Sequence, residues 1–145
     1  MPTTRARRKN KVFIQYAIPR RGVPSAASFR RWVALAPSAV TVRIVGEAEG
    51  RRLNRSFRKK NYATNVLSFP YGEGRGDLVL CHPVVAREAR AQGKAIGAHY
   101  AHLVLHGLLH LRGYDHEKKR EAARMERAEI RLLRRAGFGN PYTVE

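Results

Sequence analysis

Cysteine is nearly absent from this sequence, and acidic residues are few. Cys81 is the only thiol, so no intrachain disulfide can form and no cysteine-rich zinc ribbon can be built. A reducing compartment fits that usage. Only 11 acidic residues face 29 basic ones, leaving a formal charge of +18. Such a surface favours a polyanionic partner, because lysine and arginine contacts to phosphates release condensed counterions. Also missing is any stretch approaching the roughly 18 apolar residues that a membrane span needs. The first ten residues are polar and arginine-rich, without the apolar segment of a secretory signal. These absences lead us to expect a cytoplasmic protein with no membrane partner. Length and composition set the frame: 145 residues suit one domain, and 43% hydrophobic content suffices to fold it. We expect a basic arm over 1–10 and a single domain over 11–145.

The chain from Lys11 to Ile18 alternates and is rich in β-formers, which predicts a strand closed by Pro19. Pro24 and Ser25 open an amphipathic helix through Phe29, Trp32, Val33 and Leu35, ended by Pro37. Thr41–Val45 is a second alternating strand. Glu47–Phe57 reads as a helix with Leu53 and Phe57 turned inward, although Gly50 weakens it. A polar loop is expected over 58–64, a short strand over Asn65–Phe69 stopped by Pro70, and a glycine-punctuated turn into the strand Asp77–Cys81, a hairpin pattern. From Pro83 the pattern is helical, with breaks near Gly93 and Gly113 and a final charged helix from Glu117 to Ala136. Strands in the first 81 residues and helices after them predict an α+β fold: a small mixed sheet packed by helices.

Four of the six histidines fall in HYAHLVLHGLLH, residues 99–110. Residues four apart on a helix lie almost above one another, so His106 and His110 can present two imidazoles to one metal ion. His116 follows six residues later, and Gly113 can take the positive φ that ends a helix and returns the chain. The spacing H-x3-H-x2-G-x2-H matches that of the metzincin zinc site, in which three histidines leave a coordination position open. The expected cofactor is therefore one Zn2+ on His106, His110 and His116. His102, one turn earlier, is expected to pack or to support a ligand; His99 is given no metal role, and His82 is expected at a helix start.

One further absence redirects the chemistry. Metzincin peptidases place a glutamate directly after the first histidine as general base, and here that position is Gly107. Peptide hydrolysis loses its proton acceptor. An open zinc site can still acidify water and polarise a phosphoryl oxygen, and the +18 charge independently favours a phosphate substrate. Charge and metal together point to a nuclease.

The segment HGLLHLRGYDH at 106–116 closely resembles the H-G-x-L-H-L-x-G-Y-D-H signature of the YbeY endoribonucleases. LNRSFRKKNYATNVLSFP at 53–70 and GDLVLC at 76–81 resemble two further blocks of that family, in the same order. The resemblance implies a cytoplasmic enzyme cutting single-stranded RNA in 16S ribosomal RNA 3′-end maturation, ribosome biogenesis and ribosome quality control. Its implied partners are ribosomal RNA and the ribosome or small-subunit assembly components. It also implies that the three histidines bind zinc and that Arg58 is essential, a role its fork-shaped guanidinium suits on a phosphate. The family usually has aspartate where this chain has Asn61, which turns attention to Asp77 and Asp115 as weaker catalytic candidates. Asp115 could instead orient a histidine, and Asp77 could cap the turn before its strand. Ser68 is expected to bond backbone as a strand-end hydroxyl rather than to reach the site edge. Two alternatives stay open: an RNA- or ribosome-binding assembly factor with a structural zinc, and a small metallohydrolase or peptidase.

Overall fold

The computed structural model describes residues 11–115 and 117–143. The expected basic arm over 1–10 lies outside the described residues, as does His116. The elements follow the order β1 (Val12–Tyr16), α1 (Ala26–Ala34), β2 (Val40–Val45), α2 (Glu47–Arg58), β3 (Val66–Gly72), β4 (Arg75–Cys81), α3 (His82–Gln92), α4 (Ile96–Leu111) and α5 (Lys119–Arg135). The four strands form one sheet in the order β1-β2-β4-β3. β1 with β2 and β2 with β4 run parallel, and β3 with β4 antiparallel, so the sheet is mixed as the pattern implied.

Alternation along the strands sorts the side chains onto two faces. Val42, Ile44, Leu78 and Leu80 meet α1, α4 and α5 in the larger core, with Phe29, Tyr100, Met125 and Leu133. Phe29 is fully buried and stands edge-on to Trp32 and Tyr100, centroids 5.4 and 5.6 Å away. On the other face Val45, Leu67, Val79 and Cys81 form a smaller cluster against Leu53 of α2. The Gly50 that argued against a helix lies within one, closely packed: a Cβ at this position would sit 3.0 Å from Cys81 Sγ. Helix α4 is largely buried apart from a stripe of histidines and is correspondingly central, packing against β3, β4, α1, α3 and α5.

Two boundaries depart from expectation. Pro70 does not stop its strand; β3 continues through it to Gly72, with an irregularity between Pro70 and Gly72. The strand lies at the sheet edge, where a missing N–H costs no ladder bond. Arg58 is not the first residue of a loop but the last of α2, which ends because Lys59 takes a left-handed φ of 61° and returns its N–H to Arg55 and Asn54. The Glu73-Gly74 turn, both residues at positive φ, joins β3 to β4 as a hairpin.

Candidate active site

The loop after α2 is anchored by buried Asn54, whose Nδ2 donates to the carbonyl of Tyr62 (2.7 Å). Further along, Asn65 Nδ2 donates to Glu88 Oε1 (3.0 Å), and His99 Nε2 lies 2.8 Å from the same oxygen. His99 is thus committed to tying α4 and α3 to the start of β3, and burial lowers its pKa despite the glutamate. These bonds fix both sides of an open cavity of about 390 Å³ beside edge strand β3. Phe57, Arg58, Val66, Ser68, His106 and His110 line it, together with Thr64, Asn65 and Leu67.

His106 and His110 project from the C-terminal half of α4, their Nε2 atoms 3.1 Å apart. Two imidazoles bound to one zinc at about 2.0–2.1 Å and near-tetrahedral angles would stand about 3.3 Å apart, so this spacing suits a shared ion. Behind them lies Glu129 of α5, 1% exposed. Its Oε2 accepts from His106 Nδ1 at 2.5 Å and from His102 Nε2 at 3.2 Å, and its Oε1 accepts from the Tyr142 hydroxyl. Burial alone would raise the Glu129 pKa, but the bonds from His102, His106 and Tyr142 outweigh it and hold the carboxyl at about 2. A carboxylate that must be charged makes His106 carry its proton on Nδ1 and leaves the Nε2 lone pair facing His110.

His102, His106 and Glu129 also bring ligand atoms within 4.8 Å of one another, a group that could hold a metal ion. The His106–Glu129 separation favours a proton over a metal between those two atoms, since 2.5 Å is too close for two ligands of one zinc at the bond lengths above. An ion on the Nε2 side of His106 would have His110 Nε2 within reach, with Glu129 bonded to the His106 imidazole from behind.

Gly107 is missing its carboxylate for a packing reason. It is buried against the sheet, where a Cβ would come within 2.7 Å of Leu78 Cδ2 and 3.2 Å of Ser68 Oγ. Any side chain there requires the buried Leu78 side chain to shift. Gly113, at φ 94°, ends α4 as expected, and Tyr114 returns its N–H to Leu109.

The remaining candidates divide. Asp115 Oδ1 accepts from the N–H of Glu117, two residues on, at the mouth of the turn after α4. Asp77 does not line the cavity. It is the third residue of β4 rather than a cap before the strand, and its carboxylate accepts from the exposed Tyr71 hydroxyl beside a different cavity. His82 does begin α3, with Nδ1 2.7 Å from the Tyr100 hydroxyl, and burial lowers its pKa. The pattern of histidines alone did not reveal Glu129. A signal was present, because it shares a helical stripe with Met125, Ala128, Leu132 and Leu133, all buried. No helix among the described residues is long and apolar enough to cross a membrane.

A family model described as "Endoribonuclease YbeY" matches residues 24–137. An endoribonuclease YbeY of Stenotrophomonas maltophilia (strain K279a) is 52% identical over 151 residues, spanning 92% of this chain and 94% of that protein. Another, of Aromatoleum aromaticum, is 58% identical over 125 residues, spanning 82% and 81%. The solution structure of TM1509 from Thermotoga maritima shares the fold, with a TM-score of 0.52 at 22% identity over 92% of this chain and 99% of that one. By sequence along most of its length, the chain belongs to the endoribonuclease YbeY family of RNA-cleaving hydrolases.

Proposed function

We propose that the protein is a zinc-dependent endoribonuclease specific for single-stranded RNA, working in the cytoplasm on 16S ribosomal RNA 3′ ends and in ribosome biogenesis and quality control. His106, His110 and His116 hold the ion, and Arg58 clamps the phosphate. The observation that carries the reading is the shared cavity: Arg58, His106 and His110 line one space beside β3. Bound there, zinc would act as a Lewis acid on a phosphoryl oxygen and lower the pKa of water.

The protein's own groups do the rest. Arg58, held at the end of α2 by the Lys59 turn, offers a planar fork to two phosphate oxygens and offsets charge that builds up in the transition state. Glu129 fixes the His106 tautomer, and its bonds from His102 and Tyr142 keep it ionised in the interior. Asp115 accepts the N–H of Glu117 and adjoins His116 in sequence. The net charge of +18 draws the RNA backbone toward the cavity. Peptide hydrolysis is disfavoured because Gly107 supplies no carboxylate base, and a Cβ there would crowd Leu78.

The test is cleavage of a labelled single-stranded RNA by purified protein. Chelation or His110→Ala should abolish cleavage, and added zinc should restore the chelated wild type but not the variant. Cleavage that survives His110→Ala contradicts the reading.

A further inference from the structure

Phe57 is a large aromatic residue left half exposed, at 51% of its surface. Single exposed apolar side chains are common on folded proteins and by themselves mean nothing. Phe57 differs in its position. It lines the same cavity as His106 and His110 and directly precedes Arg58. One side of its ring is supported by Phe69 of β3, centroids 4.3 Å apart and planes tilted by 53°. The ring is thereby held in place while much of its surface stays open to solvent beside the phosphate-binding arginine.

We infer that Phe57 is a nucleobase-stacking site, taking the base of a nucleotide next to the phosphate held by Arg58. The inference rests on the reading that RNA is cleaved in this cavity. Every base has a π-face, so stacking on a phenylalanine is tolerant of sequence, and a ring carries no hydrogen-bonding group with which to read base edges. The base must first leave its own stack. In a duplex it is paired and stacked within the helix, whereas in a single strand it can be splayed out onto an aromatic side chain. A stacking ring beside a phosphate clamp therefore selects single strands without selecting sequence. It also fixes the register of the backbone, because the base and the phosphate of adjoining nucleotides are gripped on consecutive residues of α2.

The experiment uses the zinc-loaded full chain and a labelled single-stranded RNA, intact or with one nucleotide at a time made abasic around the cut. With wild type, an abasic nucleotide at one position adjoining the cut should raise KM about ten-fold, the scale of one lost base stack. Phe57→Ala should raise KM about as much on intact RNA and should respond no further to the abasic position. Phe57→Leu keeps an apolar contact with Phe69 but has no aromatic face, and should behave like Phe57→Ala. Phe57→Tyr should restore wild-type KM. A wild-type KM in Phe57→Leu, or losses from the abasic position and Phe57→Ala that simply multiply, would overturn the stacking site. Either result with cleavage intact leaves the endoribonuclease reading standing. Failure of the wild type to cut RNA brings down both.

Discussion

Two cavities open at different ends of the sheet, and both combine an exposed aromatic ring with charged neighbours. One, about 390 Å³, lies beside the first half of β3 and holds Phe57, Arg58, His106 and His110. The other, about 230 Å³, lies at the starts of β1, β2 and β4 and holds Lys11, Phe13, Tyr71 and Asp77. The first is larger and alone of the two carries histidines. The deeper difference is the material behind the wall. Behind His106 stands a carboxylate that is 1% exposed and receives three hydrogen bonds from His102, His106 and Tyr142. Asp77 instead meets a tyrosine that is 63% exposed. Burying an ionised carboxylate is costly unless hydrogen bonds compensate for lost water, so a buried acid aimed at a histidine is a feature the fold must support. A surface tyrosine–aspartate pair has no such requirement.

Substitutions can break this comparison, and their effects should fall in a definite order. His110→Ala removes one of the proposed metal ligands and should abolish RNA cleavage outright. Arg58→Lys retains the charge but loses the fork, and cleavage should fall by about 10²- to 10³-fold at unchanged zinc content, the scale of removing one transition-state donor. Glu129→Gln keeps the size of the side chain while removing its charge. Zinc affinity measured against a competing chelator should weaken by about 10- to 100-fold, the usual effect of disturbing the partner of a ligating histidine. Complete loss of zinc in that variant would mark Glu129 as a ligand and shift the centre to the His102 side. Smallest is Asp77→Asn, for which we expect cleavage within about two-fold of wild type and stability within about 0.5 kcal/mol by urea denaturation, as for an ordinary surface change. A loss as deep as that of Arg58→Lys would bring the second cavity into the reaction.

The repeating pattern of apolar residues made most of the fold legible in the sequence. Helix α4 and the His106–His110 pair on it could be read because a spacing of four survives any tertiary context. Pro70 misled because a sequence does not say which strand is at an edge, and only there can proline stay in the ladder. Arg58 could be chosen from 29 basic residues only by family resemblance; that it closes a helix depends on Lys59 entering the left-handed region, which its side chain does not advertise. Glu129 sat in a run of charges, ERAEIRLLRR, whose buried stripe passes through an acid. Its meaning depended on a partner 23 residues away in the chain. Asp77 offered a carboxylate of the right type in a family-like strand, yet the direction of its side chain follows from strand register and delivers it to Tyr71.

The central claim is that one metal ion sits on the Nε2 side of His106, with Glu129 serving that histidine from behind through a proton. Anomalous diffraction at the zinc edge from crystals of the zinc-loaded protein tests it directly. The account predicts a single peak within bonding distance of both His106 Nε2 and His110 Nε2, with Glu129 still bonded to His106 Nδ1. A peak among His102, His106 Nδ1 and Glu129 would contradict it.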